Sequence, residues 1–191
     1  IGEIGDPNQV RQEIFGEFID RVAGSPFAFA FDRLRHVKPC KIDQRAPVWV
    51  WVDFNLDPFT ALIAQQQGQR IAITNEIAVT GGTMQELAQR IRAIAPQVFM
   101  HKYTGDRSGA ARRIQSKSTA SLWDDLLAEL GARDNQLDLP PNPTHKESRE
   151  DFNYVLHHHP EFVIDPGCTG LIFDLERVEV DADLSIIKSD R

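Results

Sequence analysis

The spacing of apolar residues along the chain predicts alternating strands and helices. Val48–Val52 is apolar at every position, as is typical of a central strand covered on both faces. Strands are also predicted at Phe59–Gln67 and Arg70–Val79, the latter with apolar residues at every second position over part of its length. Thr83–Ala95 has apolar residues at helical spacing and is closed by a proline, and Val98–Tyr103 predicts the next strand.

The second half of the chain continues this alternation. Ser121–Leu130 has leucines and a tryptophan on one helical face, with capping-box spacing between Ser121 and Asp124. Ser148–His157 predicts another helix, and the remaining ordered segments are expected at Asn135–Leu139, Phe162–Ile164 and Leu171–Val180. Three closely joined strands followed by alternating helices and strands predict an α/β fold, with a mixed central sheet and helices on both faces.

The first 46 residues differ from the rest. Residues 8–22 predict a helix with apolar side chains four apart, and residues 25–46 mix proline and basic residues in the manner of a linker. The sequence does not begin with methionine, so we expect the first helix to belong to a preceding region. The expected organisation is therefore a linker and helix over residues 1–46 and one domain over residues 47–191.

Composition narrows the possible functions. The chain has 191 residues, of which 41% are hydrophobic, and this excludes a disordered or collagen-like protein. No apolar run reaches the roughly 18 residues of a membrane span, and two cysteines cannot form a disulfide framework. The net charge is −7, so any contact with nucleic-acid phosphates must be local. A basic segment that could make such contacts contains Lys102, Arg107, Arg112, Arg113 and Lys117.

Two aspartates each follow a predicted strand. Asp53 directly follows Val48–Val52, and Asp106 lies just beyond Val98–Tyr103 in a glycine-containing turn. Taken alone, each suits an ordinary capping or turn aspartate. If the two strands are parallel neighbours joined by the helix over residues 83–95, both carboxylates emerge at the same edge of the sheet, where such folds bind ligands.

Two adjacent carboxylates repel each other unless a cation neutralises them. Oxygen ligands without nearby cysteine or histidine favour Mg²⁺ or Mn²⁺. Two such ions about 3.5–4 Å apart suit phosphodiester hydrolysis, because one activates water and the other stabilises the leaving oxygen. The basic segment would then supply phosphate contacts beside the metals. Arg149 and Asn153, one helical turn apart, are a further possible contact with the DNA backbone or an ordinary surface hydrogen-bonded pair.

Five segments together resemble the nuclease domain of tailed-bacteriophage terminase large subunits: VWVDFNLDPFTALI, YTGDRSG, SLWDDLLAEL, REDFNYVL and GCTGLIFDLERVEV. The upstream RQEIFGEFID is similar to the segment joining the packaging ATPase to that nuclease. The resemblance implies an RNase H-like fold and metal-dependent cutting of concatemeric double-stranded viral DNA in the host cytoplasm, in a protein that is not expected in the virion. It also implies a packaging ATPase domain, a small terminase subunit and a portal as partners, with no membrane.

The resemblance implies that Asp53 and Asp106 are the first two metal-binding acids and that two ions occupy the complete site. The family's third acid usually lies in a helix after the last strand, and this sequence departs from that pattern. We expect either that the sequence ends before that helix or that Asp190 or Asp183 substitutes.

Two other functions remain open. A non-catalytic module could dock DNA or motor partners through residues 102–117, and it would bind DNA without needing a metal. Another enzyme of the same architecture, such as a resolvase, a transposase or a sugar-kinase-like phosphotransferase, is the second alternative. The kinase version needs two glycine-rich phosphate loops, and the sequence has no convincing pair.

Overall fold

The computed structural model describes residues 24–55, 57–110 and 120–187. These residues form two compact units. One is Cys40–Asn142, and the other combines the described residues up to Pro39 with those from Pro143 onward. The helix predicted over residues 8–22 lies outside the described ranges. None of the helices in those ranges has the length and apolar character of a membrane span.

The strands and α-helices of the described residues follow one another in this order: β1 (Ser25–Pro26), α1 (Arg33–His36), β2 (Trp49–Asp53), β3 (Phe59–Gln67), β4 (Arg70–Val79), α2 (Met84–Ile94), β5 (Lys102–Gly105), α3 (Leu122–Leu130), α4 (His145–His158), β6 (Phe162–Ile164), α5 (Thr169–Arg177) and β7 (Glu179–Val180).

The unit Cys40–Asn142 is built on a mixed sheet in which β5, β2, β3 and β4 lie side by side in that order. β3 pairs antiparallel with both β2 and β4, as expected for strands joined by short turns. β2 pairs in parallel with β5, and the connection between them contains α2. The prediction that these two strands are parallel neighbours is therefore confirmed.

Apolar side chains from the sheet, α2 and α3 form the core of this unit. Val50 and Ile63 of the sheet, Leu87 and Ile91 of α2, and Trp123 of α3 belong to one cluster and are at most 1% exposed. The helix ends also follow the sequence. Ser121 and Asp124 form the predicted capping box, and Gly131 ends α3 in a left-handed conformation with φ 68°.

The strand predicted at Val98–Tyr103 is shifted towards its C-terminal end. Residues 98–100 form a 3₁₀ turn, and β5 occupies Lys102–Gly105. The side chain of Gln136 explains the shift, because its amide donates hydrogen bonds to the carbonyl oxygens of Val98 (2.6 Å) and His101 (2.9 Å). Gln136 itself lies in a 3₁₀ turn at Asp134–Gln136, where the sequence suggests a short strand.

The unit that combines the described residues before Cys40 with those after Asn142 contains the other helices and strands. β1 pairs antiparallel with β7. Residues 25–46, predicted as a linker, include β1 and α1, and Phe29 between them is buried. α4 begins three residues earlier than predicted, because Thr144 caps the helix before His145 and forms a capping box with Glu147 in the first turn.

Candidate metal-binding site

Asp53 is the last residue of β2 and lies opposite Thr60 of β3. Asn55, two residues later, turns back and donates a hydrogen bond from Nδ2 to Asp53 Oδ2 at 2.7 Å. The other oxygen of Asp53 receives no hydrogen bond from the described residues. Among the described residues, the carboxylate is therefore held at one oxygen only.

Asp106 directly follows β5. The parallel register places Val52 opposite Gly105, and the backbone N–H of Asp106 donates to the carbonyl oxygen of Val52 at 3.2 Å. Val52 and Gly105 are thus paired across two neighbouring parallel strands, and Asp53 and Asp106 are the residues that follow them. The structure brings the two predicted acids to the same edge of the sheet.

Gly105 makes this arrangement possible. Its φ is +147°, and a Cβ at this position would lie 1.9 Å from the carbonyl oxygen of Val52. Only a residue without a side chain lets β5 turn this closely against β2. The glycine of the YTGDRSG segment therefore brings Asp106 against the end of β2.

Hydrogen bonds hold the Asp106 carboxylate at both oxygens. Oδ1 accepts the backbone N–H of Ser108 at 2.9 Å and the side-chain amide of Asn142 at 2.8 Å, and Oδ2 accepts the hydroxyl of Ser108. These bonds lower the pKa of Asp106, with Ser108 contributing most, because they stabilise the ionised form. The indole of Trp123 also donates to the Asp106 carbonyl oxygen at 3.1 Å, which ties the turn to α3.

The pKa of Asp53 is shifted in the opposite direction, upwards. Its side chain remains accessible to solvent, but partial burial raises its pKa, and the negative charge of Asp106 raises it further. The Asn55 bond opposes these effects and lowers the pKa. The site therefore contains one carboxylate whose charge is stabilised by hydrogen bonds and a second whose charge is disfavoured by its surroundings. A bound cation would relieve that unfavourable charge.

The donor set of this edge fits a hard divalent cation. Asp53 and Asp106 offer carboxylate oxygens, and the side chains held against them are Asn55, Ser108 and Asn142. Among residues 24–55, 57–110 and 120–187, no three His, Cys, Asp or Glu side chains are grouped so as to hold a metal ion. Two acids with other oxygen ligands suit Mg²⁺ or Mn²⁺, whereas zinc sites favour nitrogen and sulfur.

The sequence offers Asp190 and Asp183 as candidates for a third acid. Asp190 lies outside the described residues. Asp183 lies in the other unit, in a turn where Asp181 accepts the backbone N–H groups of Asp183 and Ser185 at 2.9 Å. The identity of a third acid therefore stays a prediction from the sequence.

Two of the predicted DNA-contacting residues are exposed in the same unit as the acids. Arg107 follows Asp106 directly, and Lys102 begins β5, where its ammonium group donates to the carbonyl oxygen of Asn135 at 3.1 Å. The other predicted basic residues of this segment, Arg112, Arg113 and Lys117, lie outside the described ranges. Arg107 is thus exposed beside Asp106, and Lys102 is exposed at the other end of β5.

Arg149 is not a surface contact for DNA. It is 2% exposed, its guanidinium lies 4.8 Å from the centroid of the Phe29 ring, and Nη2 donates to the Pro26 carbonyl oxygen at 2.9 Å. Asn153, one turn along α4, is equally buried and binds Phe27 O and Ala30 N. The prediction that Arg149 contacts DNA is wrong, because its buried guanidinium instead binds the backbone at the end of β1, and Asn153 binds the backbone that follows.

Sequence reasoning missed the three polar side chains that hold the acids. Asn55 and Ser108 each lie two residues after an aspartate, a spacing typical of local aspartate turns, and could have been found. Asn142 is 36 residues from Asp106 in the chain, and its proline-flanked segment indicates only a loop.

The chain resembles known proteins in its fold, without a detectable match in sequence. No protein-family model matches the chain, and no curated protein matches it in sequence. Among solved structures, the large terminase of the thermophilic bacteriophage D6E matches with a TM-score of 0.70 and 15% identity, over 96% of this chain and 46% of that one. The chain therefore spans less than half the length of that terminase.

Two isolated nuclease domains match over most of their own length. The P22 large terminase nuclease domain has a TM-score of 0.58 and 10% identity, covering 86% of this chain and 84% of that one. The nuclease domain of the SPP1 large terminase, solved with bound Mn, has a TM-score of 0.51 and 15% identity, covering 80% and 84%. These similarities confirm the resemblance at the level of fold, namely the RNase H-like mixed α/β fold of terminase nuclease domains.

Proposed function

We propose that this chain is the nuclease domain of a phage DNA-packaging large terminase, a metal-dependent endonuclease that hydrolyses phosphodiester bonds of concatemeric double-stranded DNA. The observation that supports this most is the parallel pairing of β2 with β5, which puts Asp53 and Asp106 at one edge of the sheet. The fold shared with the P22 and SPP1 nuclease domains supports it independently.

In this proposal Asp53 and Asp106 hold Mg²⁺ or Mn²⁺, with two ions in the complete site. The ions would supply an activated water and stabilisation of the leaving oxygen. The protein's own contribution is to fix the Asp106 carboxylate in its ionised form and to place Asp53 beside it. The SPP1 nuclease domain was solved with bound Mn, which supports this choice of cation.

Lys102 and Arg107 supply contacts to the DNA backbone in this proposal, together with Arg112, Arg113 and Lys117. Their role is to bring phosphates to the acids in a protein whose net charge of −7 otherwise repels DNA. Such contacts position the duplex without reading its sequence.

The whole protein would act in the host cytoplasm with a packaging ATPase domain, a small terminase subunit and a portal. The match to less than half of the D6E large terminase supports the presence of further domains in the parent protein. Within this chain, residues 1–46 would connect to the ATPase and residues 47–191 would form the nuclease.

Chelation tests the proposed reaction. We expect the protein to nick or linearise plasmid DNA with Mn²⁺ or Mg²⁺, to stop in excess EDTA, and to recover when Mn²⁺ is restored, because the acids alone cannot activate water. Agarose-gel assays of supercoiled plasmid measure this. Cleavage that continues unchanged in EDTA would contradict the metal-dependent mechanism.

The same experiment examines the alternative of a non-catalytic docking module. One observation favours that alternative: the described residues bring two acids together but not a third. It predicts DNA binding that weakens with salt, no cleavage with any metal, and no response to EDTA or to loss of Asp53. Filter binding in parallel with the plasmid assay separates the two functions.

A further inference from the structure

Asn142 contacts two consecutive residues of the turn that carries the second acid. Its Nδ2 donates to Asp106 Oδ1 at 2.8 Å, and its own Oδ1 accepts the backbone N–H of Arg107 at 3.2 Å. Both ends of one amide are therefore used on adjacent residues. A side chain bound in this way fixes the orientation of the turn and of the carboxylate together, whereas a single bond would allow either to rotate.

The chain before Asn142 is tied alongside β5. Leu137 bridges to Tyr103 in parallel, and the backbone N–H of Asp138 donates to the Tyr103 carbonyl oxygen at 2.9 Å. Prolines 140, 141 and 143 then flank the asparagine on both sides. Because proline fixes φ, this segment loses little conformational freedom when Asn142 reaches its two partners.

The hydrogen bonds of Asp106 decide which oxygen is left for a ligand. A carboxylate has about four lone-pair positions, two on each oxygen. The Ser108 N–H and the Asn142 amide use both positions on Oδ1, and the Ser108 hydroxyl uses one on Oδ2. No other described residue donates to Oδ2, so one position there remains and Asp106 can offer a single oxygen to a cation.

We propose that Asn142 is a positioning residue of the metal site, which binds Asp106 Oδ1 and the Arg107 N–H so that Oδ2 is presented to the cation. This inference rests on the proposed function, since it requires that Asp106 binds a metal. Hydrogen-bonding partners of metal ligands typically account for about 10–100-fold in metal affinity or activity. Asn142 is exposed, so its replacement should leave the fold intact.

Mn²⁺ titration of the full chain, followed by the electron paramagnetic resonance signal of free Mn²⁺, tests this role without relying on cleavage. We expect Asn142→Ala and Asn142→Ser to weaken Mn²⁺ binding about 10-fold or more, because neither side chain can reach both partners. Asn135→Ala is the matched control. Asn135 is an exposed asparagine of the same unit, and its described contact is through its backbone carbonyl. The Mn²⁺ affinity of Asn135→Ala should lie within about 2-fold of that of the unmodified chain, as expected of a neutral surface change.

Cleavage kinetics add a readout that a purely structural role would not change. At a fixed, limiting Mn²⁺ concentration the Asn142 variants should lose kcat and keep the KM for plasmid DNA, and kcat should recover as Mn²⁺ is raised. Mn²⁺ affinity and kcat equal to those of the unmodified chain would overturn the positioning role.

A separate result would overturn the proposed function itself. There is no metal site at this edge if the unmodified chain does not bind Mn²⁺, or if Asp106→Asn binds it equally well. The role of Asn142 then fails with the proposed function. If the unmodified chain binds Mn²⁺ and both Asn142 variants bind it equally well, only the positioning role fails.

Discussion

Replacing Asp53 or Asp106 with asparagine should reduce plasmid cleavage at least about 100-fold, because metal-assisted charge stabilisation contributes several kcal/mol to such reactions. Asparagine keeps the size of the side chain and removes the charge that holds the cation. Initial rates of supercoiled-plasmid loss in Mn²⁺ measure the effect. Asp134→Asn is the control, since Asp134 is an exposed aspartate of the same unit that begins a separate 3₁₀ turn.

The two substitutions should differ in their effect on stability. The pKa of Asp53 is raised in the folded protein, so the folded state holds its proton to higher pH and loses stability as pH rises above the ordinary aspartate range. Asp53→Asn removes that loss and should leave Tm in EDTA at neutral pH unchanged or higher. The pKa of Asp106 is lowered, so its charge stabilises the fold above that range, and Asp106→Asn should lower Tm.

This contrast separates a catalytic role from a structural one. An inactive Asp53→Asn protein with full stability cannot owe its inactivity to unfolding. Cleavage by either variant at the rate of the Asp134→Asn control would show that the assigned acids do not hold the catalytic metal.

The second large effect is expected at Gly105. Gly105→Ala puts a methyl group 1.9 Å from the Val52 carbonyl oxygen at a backbone φ of +147°, so β5 must move away from β2. Steric overlap and backbone strain each cost about 1–3 kcal/mol, and we expect the free energy of unfolding to fall by about 2–6 kcal/mol. Urea denaturation measures this loss, and cleavage should also fall because Asp106 moves with the strand.

Gly68→Ala provides the comparison for Gly105→Ala. Gly68 also has a positive φ, +67°, but a Cβ there meets nothing within 4 Å. Alanine at this position should cost only about 1 kcal/mol, the ordinary penalty of a left-handed conformation. Equal losses at the two glycines would mean that the close approach of β5 to β2 does not constrain the site.

The sequence predicts the elements that bring the acids together because their signals are local. A fully apolar strand, a helical crossover and a second strand ending in a glycine turn are each readable within about a dozen residues, and parallel pairing follows from the crossover. The position of Asp53 and Asp106 at one edge therefore follows from chain order. The sequence also predicts the capping box at Ser121 and the ends of β3 and β4, which depend on neighbouring residues alone.

Features that depend on distant partners are not predictable in this way. The shift of β5 comes from the Gln136 amide, which lies more than thirty residues from the carbonyl groups it binds. Arginine is usually a surface residue, but Arg149 is buried with its guanidinium donating to the carbonyl oxygen of Pro26, 123 residues away in the chain. Asn142 likewise binds a partner 36 residues away, and its proline-rich loop carries no local signal of that contact.

We propose that Asp53 and Asp106 share a divalent cation. Crystals of the protein soaked in Mn²⁺, with anomalous diffraction recorded at the manganese edge, test this claim directly. We expect an anomalous peak in contact with carboxylate oxygens of both residues, with Oδ2 as the Asp106 ligand. Saturating Mn²⁺ that gives no peak at this edge of the sheet, or a peak bound by only one of the two aspartates, would contradict it.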